Sequence, residues 1–180
     1  MREDFASSHL TLPPTRAMLT IRDRTQADLD RCVGILRHVY DKDGYPVQGT
    51  AIAHHFLQHG VQRAWVAEQD GVIIGHAAIG VASDADVAIA LWRKLYPGEP
   101  VAVLERLFVD PRCRGSGAAT YLIKNAVQWS AQLVLFALVK DQVAIRLYDR
   151  LGWNRFGIVP YHFGDGQQMD AICLSSPIPA

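Results

Sequence analysis

The chain has 180 residues, 49% of them hydrophobic and 20% charged, a balance that fits one globular α/β domain and excludes a disordered chain. Lys plus Arg equal Asp plus Glu at 18 each, so the basic excess of a nucleic-acid footprint is missing. The three cysteines, Cys32, Cys113 and Cys173, are odd in number and widely spaced, which argues against a disulfide framework and for a reducing, cytoplasmic setting.

Residues 1–17 read as an N-terminal arm ending near Pro13-Pro14, and residues 177–180 as a tail. The arm carries two acids and no apolar segment of the signal-peptide kind, so a secretory signal is not expected. No apolar run reaches the ~18 residues of a membrane span. The domain is expected over residues 18–176. Met18 to Arg22 opens it as a strand. Thr25 to Asp28 reads as a capping box, followed by an apolar helical stripe of Leu29, Val33, Leu36 and Tyr40. Asp41 to Pro46 reads as a break, and Thr50 to His59 as a second, short helix. His54, His55 and His59 are spaced i, i+1 and i+5, which puts no chelating pair on one helical turn, and no metal is expected. Arg63 to Glu68 and Val72 to Val81 are strands joined by Asp70-Gly71, a hairpin signal. His76, mid-strand, is expected to be a partnered structural histidine. Ala85 to Leu95 reads as a helix, closed by Pro97-Gly98.

Next comes a strand, Val101 to Val109, stopped by Asp110-Pro111. A glycine turn follows, Arg114-Gly115-Ser116-Gly117-Ala118-Ala119, and then a helix marked by Ala119, Leu122, Ile123, Ala126 and Val127. Strand, glycine turn and helix N-terminus together make an anion site, because the first helical N–H groups have no partner and the dipole favours negative charge. The phosphate loop of nucleotide hydrolases needs G-x-x-x-x-G-K-[ST], which is nowhere present. The dinucleotide fingerprint fails at its third position, where Thr120 stands. Leu133 to Val139 is an unbroken apolar run, as in a strand buried on both faces. Asp141 then stands as an N-cap before a helix whose face is Ala144, Leu147, Tyr148 and Leu151, with Gly152 as the stop.

Arg114, Gly117 and Ala119 fit R-x-x-G-x-G/A, and a second register, Arg112, Gly115 and Gly117, fits as well. With the Asp141 to Trp153 segment, which matches N-x-x-A-x-x-x-Y-x-x-x-G-[FW] except for Asp at its first position, the chain resembles the GNAT N-acetyltransferase superfamily from about Met18 to Leu174. The resemblance implies a single-domain α/β fold, a mixed and strongly bent sheet flanked by helices. It also implies an enzyme that transfers an acetyl group directly from acetyl-CoA, as co-substrate, to a primary amine. A non-catalytic acyl-CoA-binding module of the same fold is the alternative.

On that resemblance the pyrophosphate is held by Arg114, Gly115, Ser116, Gly117, Ala118 and Ala119. The pantetheine arm runs along the backbone of Leu107, Phe108 and Val109, with Asp141 and Ala144 on its other side. Lys124, Arg146 and Arg150 are candidates for the 3′-phosphate. Glu105 is the expected base, because an alkyl ammonium with pKa near 10.4 must lose a proton before it attacks. Strand alternation puts Glu105 on one face with Val101, Val103, Leu107 and Val109, where burial raises its pKa; a salt bridge with Arg106 is its other reading. Tyr148 is the expected acid for the leaving thiolate. Cys113, though flanked by arginines, has no His partner in sequence and is not expected to be a nucleophile. The acceptor, a small-molecule or peptide amine, is expected to meet the least patterned regions: Tyr40, Tyr45 and Pro46; the Ser83 to Pro100 insert with Trp92 and Tyr96; and Tyr161, His162 and Asp165. Neither nucleic acid nor membrane is expected as a partner, and a homodimer is consistent with the superfamily.

Overall fold

The computed structural model describes residues 17–130 and 132–177. The expected arm and tail, apart from Ala17 and Pro177, lie outside the described residues. The elements run β1 (Leu19–Asp23), α1 (Leu29–Asp43), α2 (Ala53–Gln58), β2 (Val61–Gln69), β3 (Val72–Gly80), α3 (Val87–Leu95), β4 (Ala102–Val109), α4 (Ala118–Trp129), β5 (Leu133–Leu138), α5 (Gln142–Arg150), β6 (Asn154–Phe163) and β7 (Gln167–Ser175). They build one seven-stranded sheet in the order β1-β2-β3-β4-β5-β7-β6. Every strand pair is antiparallel except β4 with β5. Short connections join two of the antiparallel pairs, β2 with β3 and β6 with β7. Asp70 and Gly71, for example, both take positive φ (50° and 78°), as the tight hairpin between β2 and β3 requires.

Helices cover both faces. On one, α4 and α5 bury Leu122, Ile123, Ile145 and Tyr148 against Trp65, Ile79, Leu104 and Leu135. On the other, α1 and α2 pack Leu36, Val39 and Leu57 on Val66, Ile73 and Phe108. Beside them α3 packs Ile89 and Trp92 on Val103, Val134 and Cys173. Removing a fully buried Leu or Ile side chain from water is worth ~1.5–3 kcal/mol, so these three clusters hold the helices to the sheet.

Several boundaries differ from expectation: α2 spans Ala53–Gln58 and not Thr50 to His59, β2 begins at Val61 and not Arg63, and two more differ for a plain local reason. The first helix runs through Asp41, Lys42 and Asp43, because these residues tolerate a helix; the first true stop is Gly44, in the left-handed region at φ 68°, whose N–H bonds the Tyr40 carbonyl at 2.8 Å. Its buried stripe is Leu29, Cys32, Val33, Ile35, Leu36 and Val39, while Tyr40 is exposed. The inserted helix starts at Val87, two residues later than read, because Asp86 caps it, its carboxylate accepting from the N–H of Ala88 (2.8 Å) and Ile89 (3.0 Å). No helix among the described residues is long and apolar enough to cross a membrane.

Candidate active site

β4 carries the site. It pairs with β5 only at Ala102 with Leu133 and Val103 with Val134. Beyond Val103 the two strands diverge, so the β5-facing edge of Leu104 to Val109 is open while the other edge stays paired to β3. The divergence coincides with a bulge. Between the pairs Ala78–Glu105 and His76–Phe108, β4 has one residue more than β3. Arg106 is the bulged residue, with φ 55°.

The bulge corrects the alternation expected for this strand. Val103 and Glu105 lie on the α1–α3 face, but so does Phe108, while Leu107 and Val109 turn to the α4–α5 face. Glu105 therefore shares its face with Val103 and Phe108, not with Leu107 and Val109. Arg106, which strict alternation would put on the opposite face, lies beside it. Its Nη1 is 2.7 Å from Glu105 Oε1, its Nη2 donates to the His59 carbonyl at 2.8 Å, and its guanidinium sits 5.1 Å from the centre of the Phe56 ring. Burial pushes the Glu105 carboxyl up to about 7, against the pull of Arg106 and with a further push from Asp86. That value suits a base working near neutral pH.

The bulge is pegged from behind. His76 is fully buried; its Nδ1 is 2.8 Å from the Arg106 carbonyl oxygen and its Nε2 is 3.0 Å from Arg24 Nη1. The first contact needs N–H on Nδ1, which leaves Nε2 to accept from Arg24. Burial drives the His76 pKa down to about 3, so the ring is neutral.

At the end of β4, Asp110 is buried and accepts from Arg112 through Nη2 (2.7 Å), Nε (3.0 Å) and the backbone N–H (3.1 Å), which squares off the turn into the glycine loop. Gly115 and Gly117 take φ 82° and 85°. Only glycine does this without strain, and a glycine turn before a helix N-terminus is a backbone arrangement suited to an anion. Ala118 N–H reaches the Ser116 hydroxyl at 3.3 Å. The N–H groups of Gly115, Gly117, Ala119 and Thr120 have no partner among the described residues. These unmet donors and the open β4 edge are what a phosphate-bearing, amide-bearing ligand such as CoA would use, so the residues fit that group.

The other predicted residues are distributed around this groove. Arg114 is ion-paired with Asp43, the last residue of α1. Asp141 stands at the N-cap position of α5, but its side chain makes no capping bond; it accepts instead from Lys140 Nζ at 2.7 Å. Ala144 packs partly on the core below. Tyr148 is buried, with its ring centre 5.1 Å from that of Trp153. Burial, and next to it Tyr45, push the Tyr148 hydroxyl well above its ordinary range. Tyr45 belongs to the loop after α1 on one face of the sheet, and Tyr148 to α5 on the other. Lys124, Arg146 and Arg150 are exposed. Cys113 is half-buried in the turn, its N–H bonded to the Asp110 carbonyl at 2.8 Å.

Around Glu105 the acceptor-side residues divide. Tyr45 is packed against the α1–α2 cluster, where Glu105, Arg106, Asp141 and Tyr161 all act on its hydroxyl. Tyr161 lies within β6, not in the hairpin loop; its hydroxyl accepts from Gln48 at 2.9 Å and its ring is 4.7 Å from Phe136. His162 and Asp165 are exposed. Trp92 packs α3 down, with Phe156 at 5.3 Å and Tyr96 at 4.3 Å. Asp86 at its start acts electrostatically on both Glu105 and Tyr161. A hollow of about 440 Å³ between Arg24, Gln58 and Val61 contains neither Glu105 nor the glycine turn.

Four participants escaped the sequence reading: Gly80, where an added Cβ would meet the Glu105 carboxylate, the Asp43 and Lys140 partners of the cofactor loops, and Asp86, which caps α3. Only Asp86 had a usable signal, an acid directly before a helical run.

A strand splayed at a bulge, followed by a glycine turn on a helix N-terminus, defines the class. The sequence profile of the acetyltransferase (GNAT) family matches residues 29–153, and the chain belongs to that family. An uncharacterized N-acetyltransferase of Methanocaldococcus jannaschii is 28% identical over 150 residues, 78% of this chain; the chain spans 62% of that relative's length. Among solved structures, NAA60 of Arabidopsis thaliana in complex with acetyl-CoA superposes with a TM-score of 0.65 at 20% identity, covering 89% of this chain and 100% of that one. The ribosomal-protein-S18-alanine N-acetyltransferase of Escherichia coli gives 0.62 at 21% identity, covering 91% and 96%. The fold is the GNAT fold.

Proposed function

We propose that the protein is an acetyl-CoA-dependent N-acetyltransferase that moves an acetyl group directly onto a primary amine. The observation that carries this reading is the juxtaposition, along one strand, of an open backbone edge leading to a turn of unmet N–H donors and a half-buried carboxylate at the other end of that edge.

Family membership and the NAA60 complex with acetyl-CoA support acetyl-CoA as the donor, whose thioester is the activated acyl group. The residues of this chain do the rest. The unmet N–H groups of Gly115, Gly117, Ala119 and Thr120 and the Arg114 guanidinium bind the diphosphate. The free edge of Leu107 to Val109 aligns the pantetheine amides, and Asp141 and Ala144 flank them. Fixing both reactants in register converts a bimolecular step into a nearly unimolecular one, worth up to ~7–11 kcal/mol. Glu105 accepts the proton of the acceptor ammonium. Tyr148, neutral at every working pH, donates a hydrogen bond to the departing sulfur; as the C–N bond forms and the C–S bond breaks, the second proton lost by the nitrogen passes through this hydroxyl to the thiolate, which leaves as the thiol. Tyr45, Gln48, Tyr161 and Asp86 line the acceptor side.

The test is release of free CoA thiol from acetyl-CoA by a panel of small amines, amino acids and peptides. Release with at least one amine, lost in both Glu105→Gln and Gly117→Glu, supports the reading. Tight acetyl-CoA binding with no release for any amine supports the non-catalytic binding module instead.

A further inference from the structure

We propose that Arg106 is a positioning residue of the acceptor site: held on the face of Glu105 by the β4 bulge, it aims the Glu105 carboxylate and keeps it ionised for proton transfer. The inference rests on the base role proposed for Glu105 and adds a partner to it.

Three observations support it. First, consecutive strand residues normally point to opposite faces. The positive φ of Arg106 breaks that rule here, a conformation uncommon for a residue with a Cβ and one that persists only where its surroundings enforce it. Those surroundings are visible: the peptide carbonyl of Arg106 is held by His76, itself fixed by Arg24. Second, the guanidinium is pinned at its far side by the His59 carbonyl and the Phe56 ring, with only 11% of the side chain exposed. Its Nε and Nη1 are buried and lack a hydrogen-bond partner among the described residues. Nη1 stands 2.7 Å from Glu105 Oε1 without hydrogen-bond geometry, so the charge faces the carboxylate and the donor is not consumed by it. A small rotation of the carboxylate, such as acceptor binding would bring, completes the bond. Third, the carboxylate has little room elsewhere: Gly80 supplies the space it occupies, and a Cβ there would lie 2.6 Å from Glu105 Cδ.

The charged and titratable groups that act on Glu105 are Arg106 on its own strand and Asp86 at the start of α3. Tyr45, from the loop after α1, also faces it and stays neutral. Arg24 and His76 stand behind Arg106. The two charged neighbours act with opposite sign. Arg106 favours the carboxylate, Asp86 opposes it.

The test reads Glu105 directly and needs no acceptor: ¹³C NMR titration of the glutamate carboxyl carbons in the full chain, with Glu105 assigned by its loss in Glu105→Gln. Arg106→Met keeps the bulk of the stem and removes the charge. Its titration midpoint is expected to rise by about one pH unit or more, the effect of losing an opposite charge within ~4–6 Å. Arg106→Lys restores most of the shift. Asp86→Asn, which preserves the helix cap, moves the midpoint the other way. A folded Arg106→Met variant with an unmoved midpoint overturns the proposal, and so does an Asp86→Asn shift of the same sign as Arg106→Met. If Arg106→Met does not fold, Asp86→Asn and Arg106→Lys decide: a fall with the first and a near-native midpoint with the second support the proposal, and any other pair overturns it. The base role of Glu105 is judged separately, by amine-dependent CoA release in Glu105→Gln. Full activity there removes the base reading even where the titrations behave as expected, and takes the catalytic role of Arg106 with it.

Discussion

Gly80 and Glu105 occupy one space: a Cβ built on Gly80 of β3 would fall against the carboxylate of Glu105 on β4. Gly80 has no positive φ, so its glycine is required by this approach and not by the backbone. Gly80→Ala is expected to fold and to bind acetyl-CoA like the parent while losing about tenfold or more in kcat/KM, because a misplaced base costs most of its contribution. Steady-state kinetics alongside donor titration checks this; an unchanged kcat/KM would show that the carboxylate position is unimportant.

Glu105→Gln is expected to lower kcat/KM by ~10²–10⁴, the usual worth of a positioned base. The parent rate is expected to rise with pH through about 7, where Glu105 loses its proton. The sign follows from the role: the ionised form is the active one, so activity falls as pH drops below that value. In Glu105→Gln that limb should vanish from the pH profile.

On the proposed reading, Asp43 competes with the CoA diphosphate for Arg114. Its carboxylate pairs with Arg114, and its backbone carbonyl accepts from Lys140 Nζ at 3.3 Å. Asp43→Asn removes the internal counter-ion and is expected to tighten CoA binding about two- to fivefold, since an exposed ion pair is worth ~0.2–1 kcal/mol. Arg114→Ala should weaken binding. Isothermal titration with CoA measures both, and the two effects should shrink together at high salt.

His76 carries a stability signature. Its folded pKa, near 3, lies below the unfolded 6.5, because burial disfavours the charged ring. Below pH 6.5 the unfolded chain therefore holds a proton the folded chain does not. Stability is expected to fall as pH drops from about 6.5 toward 3, by up to ~1.4 kcal/mol per pH unit from this one group. Urea unfolding of the parent and of His76→Gln at several pH values separates its share, the variant showing the shallower slope.

Much of this was legible in the chain. The hairpin at Asp70-Gly71, the glycine turn and the helix carrying Tyr148 are local features, written in residues whose φ preference or spacing admits few alternatives. The bulge was not legible. Arg106 has no preference for positive φ, and what imposes it is a tertiary peg from His76 and Arg24. The strand alternation applied to Glu105 was sound up to that residue and inverted after it. The Asp43–Arg114 pair, 71 positions apart in sequence, likewise leaves no local trace. Asp141 was readable as a helix start but not as a partner of Lys140, because capping and ion pairing demand the same residue type.

The central claim is that the splayed β4 edge and the glycine turn hold acetyl-CoA. Thermal unfolding with and without acetyl-CoA, with ATP and NAD as controls, tests it most directly. A ligand at about 100 times its Kd adds ~2.7 kcal/mol, a rise of a few degrees in Tm for a chain of this size. That rise is expected with acetyl-CoA alone, and is expected to be lost in Gly117→Glu, where a side chain and a negative charge enter the glycine turn. A well-folded protein whose Tm does not move at saturating acetyl-CoA would contradict it.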